Sequence, residues 1–148
     1  MRPARLEDWA TLWPLLVAMG TPAGADEGSA HDRFGAIADD PSWCVAGAAK
    51  GGSELLGYAA AQDFGEPLRS GADGRVARLH DLFVDPSARR TGLGAALMQF
   101  VVGWASERVR YLQWQAHEHD AAPFYERLGY VGAACPQPEY PEFEIVFG

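Results

Sequence analysis

The run Arg89-Arg90-Thr91-Gly92-Leu93-Gly94 has residue types and spacing suited to holding an anion. An apolar stretch, Leu82-Phe83-Val84, comes before it and an amphipathic stretch follows, so the order reads as strand, glycine turn and helix. Backbone N–H groups at a helix start have no partner within the helix, and the macrodipole places partial positive charge there. Gly92 and Gly94 let main chain and ligand approach without a Cβ between them. A pyrophosphate fits that description. Two other glycine-turn sites are excluded by spacing. No G-x-x-x-x-G-K-[ST] occurs, and no third glycine at position 97 completes a G-x-G-x-x-G. Side chains able to take a proton at neutral pH are scattered elsewhere, at His80, Asp81, His117, Glu118 and His119. None of them implies a metal, because His31, His80, His117 and His119 lack a thiolate pair or a helical H-E-x-x-H arrangement.

These residues must be positioned by a chain of 148 residues, 48% of them hydrophobic, which is enough for one ordinary domain over residues 1–148. Trp9, Leu12, Trp13, Leu16 and Val17 recur at helical spacing behind Glu7 and Asp8, which makes the N-terminus an amphipathic helix and no signal peptide. A second helix is expected from Asp26 to Asp40, stopped before Pro41. Trp43 to Ala48 and Leu55 to Gln62 read as antiparallel strands joined across Lys50-Gly51-Gly52-Ser53, followed by a polar loop from Asp63 to Gly74. Val76 to Val84 is again a strand, and the helix beyond Pro86 puts Leu93, Leu97, Phe100, Val101 and Trp104 on one core-facing stripe. A strand is expected at Tyr111 to Ala116, a short helix at Ala121 to Leu128 ended by a left-handed Gly129, and a half-buried strand at Glu142 to Phe147.

Charge narrows the partners. The formal net charge is -8, which argues against nucleic acid as a general partner, and basic residues exceed acidic ones only between residues 75 and 110, around the proposed anion site. The flanks are acidic, as a cationic amine would favour. No apolar stretch reaches the roughly 20 residues of a membrane span. Cys44 and Cys135 form no C-x-x-C pair and are expected as free thiols, so the expected compartment is the cytoplasm.

The spacing Arg89-x-x-Gly92-x-Gly94, with Asp81-Leu-Phe-Val-Asp-Pro upstream and Phe124-Tyr125-Glu126-Arg127-Leu128-Gly129-Tyr130 downstream, resembles the acetyl-CoA signature of the GNAT N-acetyltransferase superfamily nearly from end to end. The resemblance implies an α/β fold, with a mixed, mostly antiparallel sheet flanked by helices and two splayed parallel strands holding acetyl-CoA or coenzyme A. It implies that backbone amides of Arg90, Thr91, Gly92, Leu93, Gly94 and Ala95 cradle the pyrophosphate. Arg89 and Arg90 add charge, and Leu82, Phe83 and Val84 pair with the pantetheine arm as an added strand would. Tyr125 then corresponds to a general acid toward the leaving thiolate, and Phe124 lies beside it. Glu118 stands where relatives commonly carry asparagine, so it supplies a base or loses a cofactor hydrogen bond. Asp81 and His80 fall on the substrate side.

The implied activity is acetyl transfer from acetyl-CoA to a primary amine of a small cationic acceptor by direct attack in a ternary complex. Glu139, Glu142 and Glu144 line the acceptor side or are exposed edge acids. Alternatives are acetylation of a protein or peptide amine, or a non-catalytic acyl-CoA-binding regulatory module. Many relatives are homodimers. Family members also open with a strand for which Met1-Arg2-Pro3-Ala4 leaves almost no residues, so that strand is lost or supplied otherwise.

Overall fold

A computed structural model of the chain describes residues 1–134, 139–141 and 143–147. The chain divides into two compact units, Met1–Trp114 and Gln115–Gly148. The first holds β1 (Arg2–Pro3), α1 (Trp9–Met19), α2 (Glu27–Ala38), β2 (Trp43–Ala49), β3 (Leu55–Asp63), β4 (Val76–Val84), α3 (Leu93–Ser106) and β5 (Tyr111–Gln113). Its sheet has the order β1-β2-β3-β4-β5. The first three pairings are antiparallel and the last, β4 with β5, is parallel. The opening strand is therefore present at minimum length. Arg2 and Pro3 pair with Gly47 and Ala46, and the Ala4 N–H donates to Val45 O at 2.7 Å.

Alternation along β2 and β3 sorts the two faces. One face carries Val45, Tyr58 and Ala60 into a core with Leu12 and Leu15 of α1 and Phe34 of α2. The other carries Ala46, Ala48, Ala59 and Ala61, all fully buried. These small side chains let α3 lie close, with Leu97, Met98, Val101 and Ala105 inward. Burying one such leucine contributes about 2 kcal/mol. The inward stripe of α3 is thus rotated from the expected one, since Phe100 and Trp104 are only half-buried and Trp104 instead lies under the Arg108 guanidinium at 5.3 Å.

Two features of β4 shape the site. Its register against β3 slips between Ala60 and Ala61, so Ala60 faces Asp81, Ala61 faces Leu79, and His80 is the extra residue of a bulge. Its parallel pairing with β5 covers only Val76, Ala77 and Arg78, because β5 stops at Gln113 and not at the expected Ala116. From Leu79 to Val84 no strand of the sheet pairs with that edge among the described residues.

The second unit contains α4 (Ala122–Arg127), with Pro123 in its first turn. Gly129 ends it at φ 94°, in left-handed geometry as expected, and the Tyr130 N–H donates to Tyr125 O at 3.2 Å. Of the strand expected over 142–147, the described residues 143–147 do not form it. Residues 143–147 have no regular structure, and Phe143 and Phe147 are 90% and 88% exposed. Alternation predicts a strand only where a ladder partner and a covering layer exist, and among the described residues 143–147 have neither. Cys135, the Pro136-Gln137-Pro138 turn and Glu142 lie outside the described residues. No described helix is long and apolar enough to cross a membrane.

Candidate active site

Beyond the bulge, β4 presents main-chain groups. The Asp85 N–H donates to Leu56 O of the neighbouring strand β3 at 2.8 Å. Backbone groups point alternately to the two sides of a strand, so the N–H and C=O of Leu82 and Val84 face the opposite, open edge. The Val84 carbonyl is taken there by Arg89 Nε at 3.0 Å, while the Arg89 guanidinium lies 5.6 Å from the centre of the Phe83 ring. Arg89 therefore clasps the strand end as well as carrying charge.

The connection from β4 to α3 begins as a tight turn. Asp85 caps it by accepting from Ser87 Oγ and from the Ser87 N–H at 2.9 Å, and the hydroxyl's hydrogen bond, ahead of the N–H's, holds the Asp85 carboxyl below its usual range. Thr91 Oγ1 donates to Ala88 O. Arg90 sits at φ 62°, a left-handed conformation uncommon for a residue with a side chain, and Gly92 follows at φ 85° as the N-cap of α3. Among the described residues, no acceptor is found for the N–H groups of Arg90, Thr91, Gly92, Leu93, Gly94 or Ala95. The first main-chain bond of α3 runs from Ala96 to Gly92 at 3.0 Å. Six successive donors, a helix start and two arginines suit a pyrophosphate, and an added Cβ at Gly92 would meet nothing within 4 Å, so the space above it is open.

Before and at the bulge, β4 presents side chains. The His80 ring stacks on Trp43 of β2 with centroids 5.5 Å apart, and its Nε2 lies 3.1 Å from Gln62 Oε1 of β3. Partial enclosure and the nearby Arg78 guanidinium push the imidazole below its usual value, with Asp81 opposing. Asp81, opposite Ala60, shares a face with Tyr58 and Phe83, whereas Leu82, opposite Ala59, shares one with α3. The Tyr58 hydroxyl is buried, with the residue 1% exposed, and among the described residues it makes no hydrogen bond of good geometry, with Asp81 as a polar neighbour. Burial, then the Asp81 charge, drives the phenol far above its ordinary range. Burial also pushes the Cys44 thiol up to about 11, which makes it a core residue and no nucleophile.

In the second unit, Phe124 and Tyr125 are edge to face with centroids 5.0 Å apart, and the half-buried Tyr125 phenol is raised by burial. The turn before α4 carries Glu118, whose side chain is 81% exposed and 3.1 Å from His119 Nε2, and His117, whose Nδ1 is 3.2 Å from Asp120. Glu139 and Glu144 are exposed.

The first unit thus gathers Leu82 to Val84, Arg89 to Ala95, Asp81 and His80 around one end of β4, while Tyr125, Phe124 and Glu118 belong to the other unit. Sequence reasoning missed Gln62, Trp43 and Tyr58. Their signal was available in the period of β3, because a glutamine at the end of an otherwise apolar run interrupts the pattern on the same face as Tyr58.

The profile of the Acetyltransferase (GNAT) family matches residues 7–130. An uncharacterized N-acetyltransferase of Methanocaldococcus jannaschii is 40% identical over 58 residues, a match spanning 37% of this chain and 26% of that protein. Among solved structures, glucosamine-6-phosphate N-acetyltransferase from Arabidopsis thaliana superposes with a TM-score of 0.76 at 17% identity, over 94% of this chain and 95% of that one. A predicted acetyltransferase from Clostridium acetobutylicum, solved with acetyl-CoA, gives a TM-score of 0.71 at 17% identity, over 97% and 94% of the two chains. Likeness at such identities speaks for the fold.

Proposed function

Since the chain belongs to the acetyltransferase (GNAT) family, we propose that it moves an acetyl group from acetyl-CoA to a primary amine of a small cationic acceptor, by direct attack in a ternary complex in the cytoplasm. The observation that carries the reading is the run of partnerless N–H groups from Arg90 to Ala95 at the start of α3. Those amides, with Arg89 and Arg90, hold the pyrophosphate, and the open edge at Leu82 to Val84 receives the pantetheine arm. When bound, acetyl-CoA supplies the acetyl group as a thioester. The Leu82 N–H is a fixed donor toward its carbonyl oxygen, and one such donor is worth roughly 3 kcal/mol where negative charge develops.

Tyr125, kept protonated by burial, is the donor to the leaving thiolate. Asp81 attracts the acceptor ammonium, and Glu118 and His80 are the two groups offered for its proton. The acidic flanks favour a cation, and Glu139 and Glu144 add to that field. Calorimetry with coenzyme A, followed by thiol release from acetyl-CoA across an amine panel, tests the proposal. Saturable heat and release with cationic amines are expected, and no heat from the folded protein defeats it. Tyr125→Phe should leave coenzyme A affinity unchanged and lower turnover at least about tenfold.

A further inference from the structure

As the bulged residue of β4, His80 has no β3 residue directly opposite it, and its ring is caught by side chains of the neighbouring strands. Trp43 lies nearly flat against it, with 27° between the planes, and Phe64 meets it edge-on at 6.3 Å and 79°. The stack covers a face of the ring. Gln62 Oε1 lies 3.1 Å from Nε2, and in the neutral ring that contact is a hydrogen bond when Nε2 carries the proton, the tautomer that leaves the lone pair on Nδ1. Among the described residues Nδ1 has no partner, and His80 is exposed. Glu118, by contrast, has among the described residues only an exposed neighbouring histidine to hold it.

We infer that His80 is the base that removes the proton from the acceptor ammonium, and that Gln62 and Trp43 are positioning residues fixing its tautomer and its plane. The inference rests on the acetyl-transfer reading above. In the step, the Nδ1 lone pair bonds to one ammonium hydrogen as that hydrogen leaves the acceptor nitrogen. The amine becomes neutral, with its own lone pair, and the imidazole becomes an imidazolium. The adjacent Asp81 carboxylate and the indole face of Trp43 accept the new charge, and the proton then passes to water. The charged groups facing the ring are Arg78 and Asp81 of its own strand. The side chains it touches from β2, β3 and the residue after β3, Trp43, Gln62 and Phe64, are uncharged.

Isotope-edited NMR of the imidazole nitrogens in the whole protein reads the tautomer without turnover. The expected result is a neutral His80 with the proton on Nε2 and a titration midpoint below the usual 6.5. Gln62→Glu, which puts a carboxylate at Nε2, should raise that midpoint and carry the acid limb of kcat/KM upward with it, whereas a merely structural Gln62 would move neither. His80→Gln should lower kcat about a hundredfold while changing the amine KM little. A proton found on Nδ1, or kcat for His80→Gln within twofold of the parent, overturns the inference. Because the tautomer needs no substrate, it decides the matter even if the protein acetylates none of the amines offered, an outcome that counts against the transfer reading instead.

Discussion

From Leu82 onward, β4 and the turn after it offer main-chain groups: an open strand edge, six N–H donors without acceptors, and two residues at positive φ. Up to its bulge the same strand offers side chains, with His80 held between Trp43 and Gln62 and Arg78 beside them. One register slip separates the two. A cofactor that is the same for every member of a family can be held by main chain, which any sequence supplies once the glycines are set. An acceptor that differs from member to member must be read by side chains, which a sequence can vary without disturbing the strand.

If that division holds, the largest effect comes from blocking the main-chain end. Gly92→Val places a β-branched side chain at φ 85°, where it is strained, in space the protein leaves open for a ligand. Coenzyme A affinity should fall about a hundredfold, roughly 2.7 kcal/mol, while the amine-side tautomer at His80 stays as it was. Loss of both by calorimetry and NMR would dissolve the distinction. A smaller effect separates the arginines. Arg89→Ala removes the clasp on Val84 O as well as a charge, and should weaken coenzyme A binding roughly tenfold with part of the loss persisting at high salt. Arg90→Ala removes charge alone, so its effect of about threefold should vanish in salt. Equal behaviour of the two by titration calorimetry would remove Arg89 from the architecture of the strand end.

The main-chain end was also the part legible in the sequence. The bounds of β4, Val76 to Val84, and the glycine at the helix start follow from an apolar run, a proline and two glycines, all local signals. The bulge was not legible, because it is a relation between β3 and β4 that neither strand carries alone, and without it Gln62 and His80 cannot be seen to meet. The strand expected from Phe143, Ile145 and Phe147 failed for a related reason, since a period of two states which faces differ and not that a partner is present. Tyr58 was hidden by its type, because a tyrosine in an apolar strand reads as core until its hydroxyl is found without a hydrogen bond of good geometry.

The smallest effect concerns how the side-chain end is anchored. Asp63, the last residue of β3, opposes Ala77 and receives Arg75 Nε and Nη2 at 2.6 to 3.1 Å, together with the Gly65 N–H at 2.8 Å. The Arg75 hydrogen bonds, ahead of burial working the other way, hold its carboxyl below the usual 3.8. A group whose folded value is depressed adds stability that is present above its unfolded value and is lost as pH falls through the folded one. The protein should therefore lose melting temperature progressively once pH drops below about 4. Asp63→Asn should cost a few degrees, roughly 3 to 5 °C, at neutral pH and flatten that acid loss. It should not abolish the loss, because Asp8 is depressed in the same way by Arg2 at 2.6 Å. Melting curves from pH 3 to 7 that run parallel for the two proteins would mean that Arg75 and Asp63 do not anchor this end of the sheet, and that the side-chain half of β4 is held by packing alone.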